Sequence, residues 1–376
     1  MEVAFDVEFL PGSIKSPASL PYSIARKAWL LMNNSNEPTF WKRLAIAAVN
    51  MLVPLMASLL VLYFSLRGLG RSDHWLLFGA GYVLPWLLAP GCLLFPLSWA
   101  HPKRVMRGLA FLPVAALIIL YAPQFLPSLQ SQSAESTFRV MVHNVWRGNQ
   151  DLDALIAQIQ EQDPDIIGLH EFTDPLRAAL LRELSQTYPY QQTVPHVGLL
   201  SRYPIESCQA FRMGANRGDP GPWAQACVID IQGRTITVFN VHPRSPSLIG
   251  EDVPWLPFRV LTGLAEEGTV HDNQDLKQRI AETEGPVLVI GDLNITDQQK
   301  YYKPLIQGLH DAFRQAGWGM GFTFSRWPHL NFCTWRIDYI FYSSELLALS
   351  AATGDFAGSD HRPVIADLGF RPTTSK

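Results

Sequence analysis

Six short segments of this sequence carry side chains suited to phosphate-ester chemistry, each at the end of an apolar run. Asn144 closes FRVMVHNV, and Glu171 closes IIGLHE. Asn240 and His242 stand in FNVHPR, and Asp292 and Asn294 follow VLVI in GDLN. Asp338 interrupts RIDYIF, and Asp360 and His361 lie in GSDHRP, just before the last apolar run. A hard dication such as Mg²⁺ takes oxygen ligands and keeps several waters, so one or two carboxylates suffice to hold it. Glu171 and Asp360 suit that role. The ion neutralises phosphate charge and polarises the P–O bond. Asp292, held by Asn294, suits orientation and deprotonation of an attacking water. His242, His361 and Asn144 are donors for the charge that shifts onto phosphate oxygens in the transition state. A carboxylate bonded to a histidine fixes its tautomer and raises its pKa, which is the part Asp338 can play for His361.

Taken singly, each motif has an ordinary counterpart. GDLN resembles a Gly-Asp turn, SDH a loop or helix cap, and Asn at a strand end is commonly a turn residue. His170 reads as a structural neighbour of Glu171, and His143 as pointing away from Asn144, because strand neighbours alternate faces. The joint occurrence in this order carries the catalytic reading.

The elements that must position these groups follow from periodicity. Phe138–Val145, Ile166–Glu171, Val197–Ser201, Ala224–Ile231, Thr235–Val241, Val287–Ile290, Arg336–Tyr342 and Val364–Leu368 read as strands, with a hairpin turn at Gln232-Gly233. Leu152, Leu155, Ile156 and Ile159 recur at helical spacing, and Pro175–Leu184 and Leu276–Thr283 also read as helices. Alternating strands and helices with hairpins indicate an α/β domain with mixed sheets. Strand-end loops are the usual seat of catalytic groups.

Ahead of this domain the composition changes. Leu44–Leu66 and Trp75–Leu97 are each 23 residues without a charge, and none occurs from Gly108 to Ala134. About 20 apolar residues span a bilayer's hydrocarbon core. Three such runs separated by short basic loops predict three transmembrane helices. Pro113 and Pro123 interrupt the third, which membrane helices tolerate where neighbours satisfy the freed carbonyls. Seven basic residues (Arg26, Lys27, Lys42, Arg43, Lys103, Arg104, Arg107) lie on one side, against three (Arg67, Arg71, Arg139) on the other. The positive-inside rule then puts the N-terminus in the cytoplasm and the C-terminal domain outside it. The expected organisation is a loosely ordered cytoplasmic tail over 1–43, a three-helix membrane region over 44–126, a linker over 127–137 and a catalytic domain over 138–376. The short linker holds the domain near the bilayer. Trp255, Leu256 and Phe258 in VPWLPF are candidates to dip into the interface, where Trp is favoured.

Residues 138–376 carry 20 Lys+Arg against 27 Asp+Glu, an excess of seven negative charges. Dedicated nucleic-acid binders show a basic face, so long nucleic acids are disfavoured as substrate. Arg202, Arg217 and Arg244 remain candidates for a local phosphate track, with Arg202 and Arg244 taken as substrate contacts. The four cysteines form no CxxC pair or Cys/His cluster, which leaves no zinc signature. Cys208 and Cys227 flank neighbouring strands and are either a disulfide or two buried thiols.

The ordered set HNV, LHE, LLSRYPI, NVHPR, GDLN, RIDYIF and GSDHRPV resembles the endonuclease/exonuclease/phosphatase superfamily over residues 138–370. The resemblance implies a four-layer α/β sandwich, two central mixed β-sheets with helices outside. It implies that Glu171 is the principal metal ligand, for Mg²⁺ or Mn²⁺, with Asp360 the carboxylate beside the metal. Asn144 matches the family's Asn at the metal and phosphate site. Asp292 and Asn294 match the pair that positions or activates water, Asp338 and His361 the Asp–His pair, and His242 the phosphatase and DNase histidine. Whether Asp292 or His361 takes the proton is open at this level. His170 stands where the family often has Gln, and Trp146 where some abasic-site endonucleases have Asp, which weighs against a repair enzyme. The three-span N-terminus is similar to bacterial multi-pass members associated with glycopeptide resistance, which implies a phospholipid or lipid-linked phosphate substrate at the outer membrane face. A tethered extracellular nuclease and a catalytically inactive binding domain are the alternatives, and no protein partner is evident.

Overall fold

The computed structural model describes residues 40–69, 75–126, 134–215, 219–252 and 259–372. Residues 1–39, most of the expected linker, Arg71, Arg217 and residues 253–258, with Trp255, Leu256 and Phe258, lie outside the described residues.

Among the described residues, three helices come first: α1 (Phe40–Gly68), α2 (Trp75–Leu97) and α3 (Arg104–Tyr121). All three are long and apolar enough to cross a membrane. α1 starts four residues before the charge-free run and so includes Lys42 and Arg43, whose long side chains can extend past an apolar helix end. α3 passes through Pro113 and ends in a 3₁₀ turn, Ala122–Phe125, that contains Pro123.

The C-terminal domain runs β1 (Glu135–Asn144), α4 (Leu152–Gln162), β2 (Ile166–Phe172), α5 (Leu176–Glu183), β3 (Tyr190–Val194), β4 (His196–Ser201), β5 (Ile205–Arg212), β6 (Trp223–Ile231) and β7 (Arg234–Val241). It continues with β8 (Ser247–Asp252), β9 (Arg259–Ala265), α6 (Glu267–Ala281), β10 (Val287–Asp292), α7 (Tyr302–Leu305), β11 (Leu309–Asp311), α8 (Ala312–Ala316), β12 (Asp338–Ser343), β13 (Leu346–Thr353) and β14 (Val364–Phe370). One six-stranded sheet has the order β13-β14-β1-β2-β4-β3, and the other β11-β12-β10-β7-β6-β5. Each is mixed, with one parallel pair, β1–β2 and β7–β10, among antiparallel neighbours. The segment after His242, which shows no strand periodicity, forms a separate ribbon, β8–β9. α6 starts nine residues before the expected Leu276.

Strand alternation builds the layers. Val140 and Val142 of β1 meet Val238, Leu288 and Ile290 between the sheets. Met141 of β1 faces the other way, onto Leu155 and Ile159 of α4 and Leu180 of α5. Val241, Val287 and Val289 face Leu276 of α6 and Tyr302 and Leu305 of α7. The result is the four-layer α/β sandwich. The β6–β7 turn is at Gln232-Gly233, both at positive φ (56° and 85°), as a primed two-residue hairpin turn requires. Cys208 and Cys227, directly paired across β5 and β6, are joined as a disulfide.

The helices dock on the domain at one end of their bundle. Gln299 Nε2 donates to the Phe78 carbonyl (3.0 Å), Thr296 Oγ1 to that of Gly81 (3.1 Å), and Trp86 Nε1 to that of Thr334 (2.9 Å). Phe78 itself packs into the core of the second sheet. At the end of α3, Phe125 meets Trp318 edge-on at 5.2 Å. A Cβ on Gly81 would lie 2.6 Å from Gln299 Cγ. Gly81→Leu is therefore expected to destabilise the docked state by about 1–3 kcal/mol, the usual range for overpacking. Limited proteolysis between helices and domain checks this; a cleavage rate equal to wild type would show that the close approach is unimportant.

Candidate active site

The sheet topology brings one end of each parallel pair to a shared cleft. β1 and β2 deliver Asn144 and Glu171; β7 and β10 deliver the His242 loop and Asp292. Asp338 starts β12 opposite Asp292, and Asp360 and His361 precede β14.

Glu171 reaches the cleft through a β-bulge. Ile166 and His170 of β2 face the second sheet, while Ile167 and Leu169 face the helices. Strict alternation would turn Glu171 towards the helices. The β2–β4 register shifts between His170 and Phe172, and Glu171 takes φ +52°. The extra residue re-aims the side chain, as bulges beside active sites do. Asn294 is also left-handed, at φ +52°. Non-glycine residues held there store strain that the surrounding contacts must offset. Tyr82 of α2 is one such contact, its hydroxyl donating to the Asn294 carbonyl at 2.6 Å.

Asp292 is buried at the centre. Asn144 Nδ2 donates to its Oδ2 at 3.0 Å and the Asn294 backbone N–H to its Oδ1 at 3.0 Å. The Asn294 side chain turns away, to the Pro243 carbonyl at 3.0 Å. His242 Nε2 and His361 Nε2 stand 3.6 Å and 3.8 Å from Asp292 Oδ2. Asp338 Oδ2 lies 2.8 Å from His361 Nδ1. Burial, reinforced by the Asp338 charge, raises the Asp292 pKa to about 7. Burial opposes charge on His361, but Asp338 and Asp292 outweigh it and raise its pKa to about 10. The two carboxylates thus favour the protonated form of His361. His242 lacks a carboxylate so close, and burial lowers its pKa to about 4.

Glu171 Oε1 lies 3.4 Å from Asn144 Nδ2, and Arg147 donates to Oε2 through its backbone N–H (3.2 Å) and Nε (3.1 Å). Burial works against its charge, yet His242 and Arg147 hold the Glu171 pKa below the usual range. Asp360 is shifted the other way, raised by burial with the Glu171 charge adding. Two carboxylates repelling across one cleft are the donor set that a hard dication satisfies. Asp292, Asp338 and His361 also converge, with ligand atoms within 4.8 Å. There, however, Asp338 and His361 already bond each other, and Asp338 is fully buried. That trio suits proton handling, whereas the side chains of Glu171 and Asp360 are 18% and 29% exposed towards the cavity.

Two arginines are placed differently from the sequence reading. Arg202 follows β4, which runs antiparallel to β2, so it emerges at the far end of the sheet. It pairs there with Asp163 and Asp165 and does not line the cavity beside Asp292. Arg244 does line the cavity, but its guanidinium is engaged by Asp272 and Asp219. His170 Nε2 is tied to Asn240 Oδ1 at 2.8 Å, and His143 Nε2 to the His361 carbonyl at 3.1 Å, both behind the site. Sequence reasoning missed Arg147 and Tyr82. Arg147 is signalled only by its place three residues after Asn144, and Tyr82 by nothing in its apolar run.

The site opens into a cavity of about 680 Å³ lined by Glu171, His242, Asp292, Asp360 and His361, and also by Gly79, Tyr82 and Val83 of α2. The sequence model of the Endonuclease/Exonuclease/phosphatase family matches residues 141–361, from β1 to the last site histidine. The chain belongs to this family. Its members are phosphoester hydrolases and are generally dependent on a divalent metal. Similar solved structures are of low identity. An endonuclease/exonuclease/phosphatase from Bacteroides vulgatus superposes with TM-score 0.50 at 21% identity, covering 63% of this chain and 100% of its own. Truncated TDP2 from Caenorhabditis elegans gives 0.48 at 18% identity, covering 62% and 98%. The human Nocturnin catalytic domain, with bound sulfate anion, gives 0.47 at 19%, covering 65% and 100%. Comparison with curated proteins gives no match.

Proposed function

We propose that this chain is a membrane-anchored, divalent-metal-dependent hydrolase of a phospholipid or lipid-linked phosphate, acting at the outer membrane face. The observation that carries this reading is the cavity that joins the catalytic groups to α2, a helix long and apolar enough to cross a membrane. Glu171 and Asp360 would hold a dication, which would supply neutralisation of charge on the phosphate. Asp292, oriented by Asn144 and the Asn294 N–H, accepts the proton of the attacking water. His361, kept protonated by Asp338, donates to a phosphoryl oxygen as charge shifts onto it. His242 is neutral and hydrogen-bonds on the same side. Turnover of DNA, phosphatidyl lipids, sphingomyelin and polyprenyl pyrophosphate, each with Mg²⁺ or Mn²⁺, tests the reading. The lipid substrates should exceed DNA by at least an order of magnitude; a preference for DNA would replace the proposal with a tethered nuclease.

The orientation is supported from two directions. The domain docks on the C-terminal ends of α1 and α3 and the N-terminal half of α2, whereas Lys42, Arg43, Lys103, Arg104 and Arg107 lie at the other ends. The basic end is the cytoplasmic one by the positive-inside rule. The Cys208–Cys227 disulfide suits an oxidising compartment. A reporter fused after Gln132 is expected to be active only as an extracytoplasmic type. Activity of a cytoplasmic reporter there would reject this orientation.

A further inference from the structure

The α2 face that lines the cavity is continuous with the helix's outer surface. Gly79 and Val83 are four residues apart and Tyr82 lies between, so the three share one side of the helix. Val83 also belongs to the exposed stripe Leu76, Val83 and Leu87, at 55%, 42% and 47% exposure. The cavity therefore opens onto the flank of α2 that lipid would cover. Across from this flank stand Leu248 and Leu264 of the β8–β9 ribbon, which packs beside α2. Nothing lies within 4 Å of where a Gly79 Cβ would sit, so the helix leaves a gap at the mouth. The same cavity is lined by Glu171, Asp292, Asp360 and His361.

We propose that the α2 face of Gly79, Tyr82 and Val83 is the wall along which the substrate's hydrocarbon tail leaves the catalytic cleft for the bilayer. This rests on the lipid-phosphate reading above. The arrangement separates two demands: the carboxylates and histidines take the charged phosphate, and the gap at Gly79 with Val83, Leu248 and Leu264 takes the tail. An apolar chain gains by leaving water along such a path, whereas a polynucleotide would have to desolvate its charges against it. Tyr82 links the halves, with its ring in the tail path and its hydroxyl on the Asn294 carbonyl.

Gly79→Leu and Val83→Phe narrow the path without a helix-breaking residue, and Leu is a better helix former than Gly. Hexadecyl p-nitrophenyl phosphate and methyl p-nitrophenyl phosphate share a leaving group and differ only in the tail. For the full-length protein in detergent micelles, each variant is expected to lower the hexadecyl-to-methyl ratio of kcat/KM at least tenfold. An unchanged ratio in a variant whose melting temperature matches wild type overturns the proposal. A second measurement does not depend on turnover. Hexadecyl phosphate bearing a mid-chain diazirine should label α2 saturably in wild type and at least tenfold less in Gly79→Leu. Equal saturable labelling in both overturns the tail path. Saturable labelling of α2 without hydrolysis of any lipid phosphate would instead reject the function while leaving the tail site standing.

Discussion

Asp292→Asn is expected to lower kcat by about 10²–10⁴-fold, the usual contribution of a positioned general base. The amide keeps the shape of the carboxylate but cannot accept a proton from water. KM should change little, because Asp292 is buried and held by Asn144 and the Asn294 backbone. Thermal stability should change little: relief of a buried carboxylate whose pKa burial raises to about 7 is offset by the loss of one of its two accepted hydrogen bonds, because an amide has a single acceptor oxygen. His361 is the competing candidate for the base. Its Nδ1 faces Asp338 at 2.8 Å, and the Asp338 and Asp292 charges raise its pKa, which favours the protonated form over an acceptor. Measuring kcat, KM and melting temperature together decides the matter: near-wild-type kcat in Asp292→Asn would transfer the role elsewhere.

Glu171→Gln is expected to abolish most Mg²⁺-dependent turnover, by about 10³-fold, because a metal ion supplies several kcal/mol of transition-state stabilisation and each 1.4 kcal/mol is about tenfold. A neutral amide is a poorer ligand for a hard dication. Calorimetric titration with Mg²⁺ should show weakened binding, and excess metal should recover part of the rate. Folding should be preserved, because the bulge that aims residue 171 is set by backbone pairing on either side. Loss of the Arg147 contact is a small matter, as that side chain is 73% exposed. Unchanged metal affinity and unchanged rate would remove Glu171 from the metal site. The two variants differ in signature: Asp292→Asn resists rescue by metal, and Glu171→Gln responds to it.

Much was legible in the chain itself. Apolar strands tipped with Asn, Glu, His and Asp announced a hydrophilic cleft at a sheet end, because side-chain alternation and strand length are local properties. The order from Asn144 to His361 indicated the family, and uncharged runs of bilayer length marked the three helices. The hairpin at Gln232-Gly233 was equally local. Charge on an arginine, by contrast, says nothing about which end of a sheet it reaches. Arg202 is carried to the far edge by the antiparallel direction of β4, and Arg244 is engaged by Asp219 and Asp272, far from it in sequence.

The sequence by itself determined the residue types at the strand ends, the sheet-forming periodicity and the apolar helices, all of which depend on neighbours a few positions away. Only the tertiary structure decided that a bulge turns Glu171 into the cleft and that Asp338 grips His361. Only it, too, brought Tyr82 of an apolar helix into the wall of the active site. These depend on strand register and on contacts between segments as far as 212 residues apart, which no local pattern encodes.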